Sequence, residues 1–332
     1  MDEGNSTSAR GGPADETKAG RAIPASSDDQ AQPLNILTRS LVRHAHAIAR
    51  EVSARAVLLS ADVIEEEEHL VDMIEVVGFR VILVTRRAEV RVPDGWGEYC
   101  QVVRIPDVAM TRVGQIKIAT LVAAAEGLIT QGDRIVCVTG LDRSGTIDTV
   151  IVLDLGHELE MFGGATAEPL PAGVAPAVFQ RLLTVASELG LEGREGRPVG
   201  CLFVLGDSEA VLVQSRQLVI NPFRGYPEEE RNILDSRLEE TIKEFSAIDG
   251  AFIVRGDGVL LSAGRYLVPV AKLEEPLAQG LGTRHEAAAA VTVNTNALAL
   301  CVSQSTGTVS IFRRGRLLTD IQKPRGRHGD VL

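Results

Sequence analysis

Basic residues are in short supply: the 332-residue chain has 34 Lys and Arg against 45 Asp and Glu, a formal net charge of −11 at pH 7. That balance denies it the broad positive field with which general nucleic-acid binders and membrane-surface proteins gather phosphates. A local basic pocket is still compatible with it. Cysteine is scarce too. Cys100, Cys137, Cys201 and Cys301 lie far apart, with no CxxC pair and no histidine at zinc-ligand spacing. This argues against a disulfide framework and a structural zinc site, and the four thiols are expected to be reduced and buried, as in a cytosolic protein. Long apolar runs are also missing. None reaches the roughly 18 residues that cross a bilayer, and the N-terminus has no signal-peptide core, so the expectation is a cytoplasmic, soluble protein with no membrane partner. Residues 1–33 hold almost no large apolar side chains and cannot offset the entropy of ordering. A disordered tail is expected there.

What is present is enough apolar residue, 45% of the chain, for two packed domains. In the first, over 34–157, Ile36, Leu37, Leu41, Val42, Ala45, Ile48, Ala49 and Val52 recur at helical spacing, and 56–59 reads as a buried strand. A helix opening on Glu65 to Glu68 and ending at Gly78 leads to a strand over 81–85. Its acidic first turn complements the helix dipole and requires no ligand. His44 and His46, two apart on a helix, face different ways and make no metal pair. A strand over 102–106, a helix over 114–125, and strands within 127–140 and 146–152 follow. This alternation indicates an α/β layer with a largely parallel sheet closed by a hairpin.

Gly163-Gly164 and two prolines mark a linker, placed over 158–173. The second domain, over 174–322, opens with a helix over 174–189 and a strand and turn over 199–207. Leu212-Val213 and 218–220 read as further strand, and 228–245 as a helix carrying Ile233, Leu234, Leu238, Ile242 and Phe245. The apolar runs 251–254 and 259–261 flank Asp257-Gly258, a hairpin signal. A glycine-rich turn over 280–283 runs through Arg284-His285 into a helix over 286–290. Strands over 297–302 and 308–312, joined by the loop 303–307, close the domain, and the basic tail 323–332 is expected to fray.

Chemistry concentrates late in the chain. Asp249 sits at the mouth of a strand, and helix N-terminal amides beside Arg284 and His285 form a ready phosphate site. Either feature alone is commonplace. A carboxylate for metal or base meeting a cationic turn across one sheet points to nucleotide chemistry.

Residues 35–155, through "GLITQGDRIVCVTG" and "GTIDTVIV", resemble the C-terminal domain of pyruvate kinase. Where that family has a Ser/Thr- and Gly-rich phosphate loop, this chain has Ser60-Ala61-Asp62-Val63-Ile64-Glu65, so a structural or dimer-forming role is implied instead. Residues 175–322 resemble the diadenylate cyclase domain through Asp249-Gly250-Ala251, Gly264-Arg265-Tyr266-Leu267, Gly282-Thr283-Arg284-His285 and Val302-Ser303-Gln304-Ser305-Thr306-Gly307. With the upstream "NPFRGY", the whole looks like the archaeal-type, two-domain members of that family. The resemblance implies an α/β chain: a pyruvate kinase C-terminal-like domain followed by a cyclase domain with a mixed central sheet flanked by helices. It implies the condensation of two ATP into cyclic di-AMP and two pyrophosphates, assisted by Mg²⁺ or Mn²⁺, between facing protomers of a homodimer or larger homo-oligomer. Asp249 would be the catalytic, metal-binding carboxylate, and Arg284 and His285 catalytic groups at the triphosphate. ATP would also meet Gly250, Ala251, Gly282, Thr283, Ser303, Gln304, Thr306 and Gly307, with Leu267 on the adenine.

Two positions depart from the family's common pattern. Glu286 stands where many bacterial members have a second arginine, and Gln304 where a glutamate is common; Gln304 keeps an oxygen acceptor without the charge. The alternative is a domain of the same fold that binds ATP or cyclic di-AMP as a sensor. In a third reading the first domain controls how the cyclase domains pair.

Overall fold

The β-branched, leucine-rich runs of the first half pair into one sheet, as their composition favours. A computed structural model describes residues 36–63, 80–87, 89, 90, 92, 99–140, 144–155, 170–268 and 281–322. Helix α1 (Ile36–Glu51) leads to β1 (Ala56–Ser60), β2 (Arg80–Thr85) and β3 (Cys100–Arg104), then α2 (Arg112–Ala125), β4 (Arg134–Gly140) and β5 (Ile147–Asp154). The order is β3-β2-β1-β4-β5, parallel throughout except for β5, which runs antiparallel to β4. This is the largely parallel sheet closed by a hairpin that the alternation predicts. Just after β1 the buried Asp62 carboxylate accepts from the Thr85 hydroxyl and the Arg86 amide, both at 2.7 Å. The acidic turn therefore ties β1 to β2. The helix expected over 65–78, the tails 1–33 and 323–332, Gly163-Gly164 and Gly280 lie outside the described residues.

The second half builds a seven-stranded sheet of order β12-β11-β10-β6-β8-β9-β7. Its strands are β6 (Cys201–Leu205), β7 (Ser215–Gln217), β8 (Ala251–Val254), β9 (Leu260–Leu267), β10 (Leu298–Val302), β11 (Val309–Arg313) and β12 (Arg316–Ile321). Only β6 and β8 pair in parallel, so the sheet is mixed, as expected. Helix α3 (Pro176–Glu192), with proline tolerated in its first turn, packs Val178, Phe179, Leu182 and Leu189 with Phe203, Phe252 and Leu300. The alternate strand residues Val204, Ile253 and Cys301 pack with Ala288, Ala289 and Val291 of α6 (Thr283–Val293). Two short helices, α4 (Ser208–Val213) and α5 (Glu239–Phe245), complete the layer. One core cluster runs from Leu58, Ile82 and Val122 of the first half to Phe179 and Leu318 of the second.

Three expectations are corrected. Leu212-Val213 belongs to α4, and 218–220 is not a strand. The edge strand is the polar 215–217, bracketed by Val268 N–H to the Gln214 carbonyl and Leu218 N–H to the Gly264 carbonyl, both 2.9 Å. An edge strand has no second neighbour to bury it, and polar side chains suit that position. The segment 228–245 is α-helical only from Glu239. Asn232 and Asp235 accept from the amides of Leu234 and Arg237 at 3.0 and 2.9 Å, and such local bonds compete with helix. Finally, α6 starts at Thr283, so Arg284 and His285 lie in its first turn. Among the described residues no helix is long and apolar enough to cross a membrane, and all four cysteines are buried and free, as expected.

Candidate active site

Because β6 is parallel to β8 and antiparallel to β10, one rim of the second sheet collects the starts of β6 and β8 and the end of β10. Cys201 pairs with Val302, Leu202 with Ala251, and Ala251 with Arg265 at the end of β9. Asp249-Gly250, Gly200, Ser303 and the end of β9 are therefore neighbours along one edge. The N-terminus of α6 opens onto the same rim, where Arg284 Nη2 donates to Asp249 Oδ1 at 2.9 Å.

Backbone geometry sets out the carboxylate. Gly250 has φ +112°, and a Cβ there would lie 2.6 Å from the Arg265 amide nitrogen and the Gly264 carbonyl carbon. Only glycine fits this approach of β8 to β9. Beside it the Asp249 side chain is 88% exposed, while Arg284 is 35% exposed. Gly282, the residue before α6, supplies no capping side chain, and Thr283 is exposed. Cationic charge and a helix N-terminus thus face one exposed carboxylate.

The 303–307 turn is held by its own bonds. Ser303 N–H donates to the Thr308 carbonyl at 2.9 Å and Gly307 N–H to the Ser303 carbonyl at 2.8 Å, and the Thr306 hydroxyl donates to Thr308 Oγ1 at 2.9 Å. Gly307 has φ +70° and lies against the Gly190 carbonyl of α3, 2.1 Å from where its Cβ would be. Gln304, Ser305 and Thr306 face solvent, and the Gln304 amide group has no hydrogen-bond partner among the described residues.

Two predicted residues are buried behind the rim. His285 is buried, its ring edge-on to Phe312 at 6.2 Å, and burial lowers its pKa, which favours the neutral imidazole. Leu267 is 6% exposed and packs in the cluster that holds Ala251 and Ile253. Beside it Tyr266 is half-exposed, with the Arg216 guanidinium 5.0 Å from its ring centroid. Cys301 is inert, because burial pushes its thiol up to about 12 against the opposing pull of Arg284. Sequence reasoning missed Gly200, which lies under the Arg284 guanidinium and beside Gln304. A glycine at a strand entrance was the available signal.

Among the described residues no three or more His, Cys, Asp or Glu side chains gather to cage a metal. Among the described residues the rim offers Asp249 as its acidic ligand. That fits a divalent ion which takes one or two carboxylates and completes its shell with phosphate and water.

Residues 188–317 match the family model described as DisA bacterial checkpoint controller nucleotide-binding, and this span contains every candidate site residue. The chain is 36% identical over 192 residues to a diadenylate cyclase of Methanocaldococcus jannaschii, covering 58% of this chain and 60% of that protein. It is 35% identical over 204 residues to a diadenylate cyclase of Haloferax volcanii, covering 60% of this chain and 71% of that protein. The chain belongs to the diadenylate cyclase family. For this family member the match thus spans three fifths of the first relative's length and just over two thirds of the second's. Its first half, residues 37–162, matches the model described as "Probable sensor domain DacZ_P" where a pyruvate kinase likeness was expected. Among solved structures, a double mutant of DacA from Staphylococcus aureus is 22% identical, with a TM-score of 0.29, covering 44% of this chain and 87% of that one.

Proposed function

We propose that the chain is a diadenylate cyclase, which joins two ATP into cyclic di-AMP and releases two pyrophosphates. The 3′-hydroxyl of each ATP attacks the α-phosphorus of the other. An O–P bond forms, the bond to pyrophosphate breaks, and the hydroxyl proton leaves. The observation that carries this reading is the 2.9 Å contact of Asp249 with Arg284, on a rim that also holds the α6 N-terminus and the 303–307 turn.

Asp249 would hold the divalent cation that the family generally uses, Mg²⁺ or Mn²⁺, or would accept the hydroxyl proton. When bound, the ion supplies Lewis-acid neutralisation of phosphate charge. Arg284, Thr283 and the first amides of α6 bind the triphosphate, where charge develops during transfer. Gln304 offers amide donors and an acceptor, and Ser303, Thr306 and Gly307 close the other side. Gly250 and Ala251 line the floor near Leu267, on the adenine side. His285, buried and neutral, sets the first turn of α6 from beneath. One site takes one ATP, so turnover requires two chains to face each other in a homodimer or larger assembly. Residues 174–322 form the cyclase domain. Residues 34–157, pyruvate kinase C-terminal-like in pattern, form a domain that controls how the cyclase domains pair, with 158–173 between them.

The second reading is a sensor that binds ATP or cyclic di-AMP without turnover. It is favoured by Arg284 occupying an Asp249 oxygen and by the uncharged Gln304. Incubating the protein with ATP and Mg²⁺ or Mn²⁺, and resolving products by chromatography and mass, separates the two. Cyclic di-AMP that disappears in Asp249→Asn is the expected result. Nucleotide binding with no product under either metal moves the chain to the sensor class.

A further inference from the structure

Gly200 immediately precedes β6, and β6 lies between β10 and β8. It therefore stands between the turn that follows β10 and the Asp249-Gly250 pair that precedes β8. Its backbone does not call for glycine, since its φ lies outside the left-handed region that Gly250, Gly264 and Gly307 occupy. The space over its Cα does. A Cβ there would lie 2.7 Å from Arg284 Nη1, 3.3 Å from Arg284 Cζ and 3.1 Å from Gln304 Cβ. The guanidinium thus lies across a bare Cα, and from that pose its other terminal nitrogen reaches Asp249.

We propose that Gly200 is a positioning residue of the nucleotide site, its missing side chain forming the slot in which the Arg284 guanidinium is aimed at Asp249 and the triphosphate. This rests on the reading of the rim as the ATP site. The steric consequences for fold and function differ. The closest atoms belong to the end of the flexible Arg284 side chain, and Gln304 Cβ, on an exposed turn, has to give by only a few tenths of an ångström, so alanine at 200 leaves the strand in place and chiefly moves the guanidinium. Restoring an ordinary contact of about 3.5 Å displaces it by roughly 1 Å. A misplacement of that size costs up to about 100-fold in rate.

A double-mutant cycle tests this. Wild type, Gly200→Ala, Arg284→Lys and the double variant are compared in kcat/KM for cyclic di-AMP formation and in equilibrium binding of a non-hydrolysable ATP analogue. Thermal unfolding is followed in parallel. Lysine has no Nη1 for the new methyl group to strike. Gly200→Ala is expected to lose about 10- to 100-fold in kcat/KM and to bind the analogue more weakly, with unfolding unchanged. In the Arg284→Lys background the same alanine should cost far less, because only its lighter contact with Gln304 Cβ remains. A loss of equal size in both backgrounds, which is what a folding defect produces, overturns the proposal. So does a Gly200→Ala protein indistinguishable from wild type. A wild-type chain that makes no cyclic di-AMP overturns the cyclase reading alone, because the cycle is still read on analogue binding.

Discussion

His285 and Arg284 are consecutive in α6, yet their surroundings are opposite: one faces the rim carboxylate and the other turns inward to Phe312. Adjacent helical positions point about 100° apart, so a sequence pair cannot place both side chains at one ligand. Burial has a pH signature. It lowers the folded-state pKa of His285 below the ordinary value of about 6.5. Above pH 6.5 the ring is neutral in both states and contributes nothing to pH dependence. Below it, the unfolded chain takes up the proton before the folded one does, so stability falls as pH drops toward the lowered value. Thermal unfolding at pH 7.5 and 5.5 should show a larger loss for wild type than for His285→Gln. Equal losses would mean that the imidazole titrates normally.

At the scale of elements, the turn linking β8 and β9 is engaged by the 228–238 segment. Asn232 Nδ2 donates to the Asp257 carbonyl at 3.1 Å, the Ile233 amide donates to the Gly258 carbonyl at 2.8 Å, and Asn232 forms a bridge with Val259. Apolar spacing alone predicts a continuous helix over 228–245, because Leu234, Leu238, Ile242 and Phe245 do fall at helical intervals. Those intervals say nothing of a hairpin whose carbonyls sit within reach. Asn232→Ala should therefore destabilise by about 1–2 kcal/mol, through lost bonds to the turn as well as its own local bond to Leu234. Chemical denaturation measures this; a change below about 0.5 kcal/mol, the ordinary scatter of surface substitutions, would show that the segment does not brace the hairpin. The elements read correctly from sequence were those with a local cause. Asp257-Gly258 supplies its own turn, with Gly258 at φ +98°, and β1, β2 and β4 of the first sheet read as near-continuous buried apolar runs. β12 and β7 were missed because edge strands draw their pairing from a neighbour. Asp249, Gly250 and Arg284 were legible as motifs, whereas Gly200 offered only a glycine at a strand entrance, and its place under Arg284 emerges when β6 is set between β8 and β10.

Across the whole molecule, the two sheets share one core cluster and a polar clasp. Lys117 of α2, itself buried, donates to Asp320 of β12 at 2.7 Å, and Gln180 of α3 donates to Glu126 just after α2. Burial raises the pKa of the Asp320 carboxyl, but the hydrogen bonds from Lys117 and Gln322 outweigh it and hold the group below its usual range. The clasp stands near the 303–307 turn: Val108 and Ala109 of the first half line a small cavity with Leu191 of α3 and Gly307. The first half is thus part of the wall behind the 303–307 turn. Lys117→Met removes the cation and leaves the largely enclosed Asp320 with Gln322 as its side-chain partner among the described residues, a loss of about 3 kcal/mol by the behaviour of broken buried pairs. Lys117→Met with Asp320→Leu should recover most of it, since an apolar pair of similar volume replaces the ion pair without stranding a charge. Urea unfolding of the three proteins tests the clasp, and the single variant should also show a raised KM for ATP through a loosened Gly307. A Lys117→Met protein with wild-type stability and wild-type KM would show that the halves are held by the apolar core alone, and that the clasp does not support the turn.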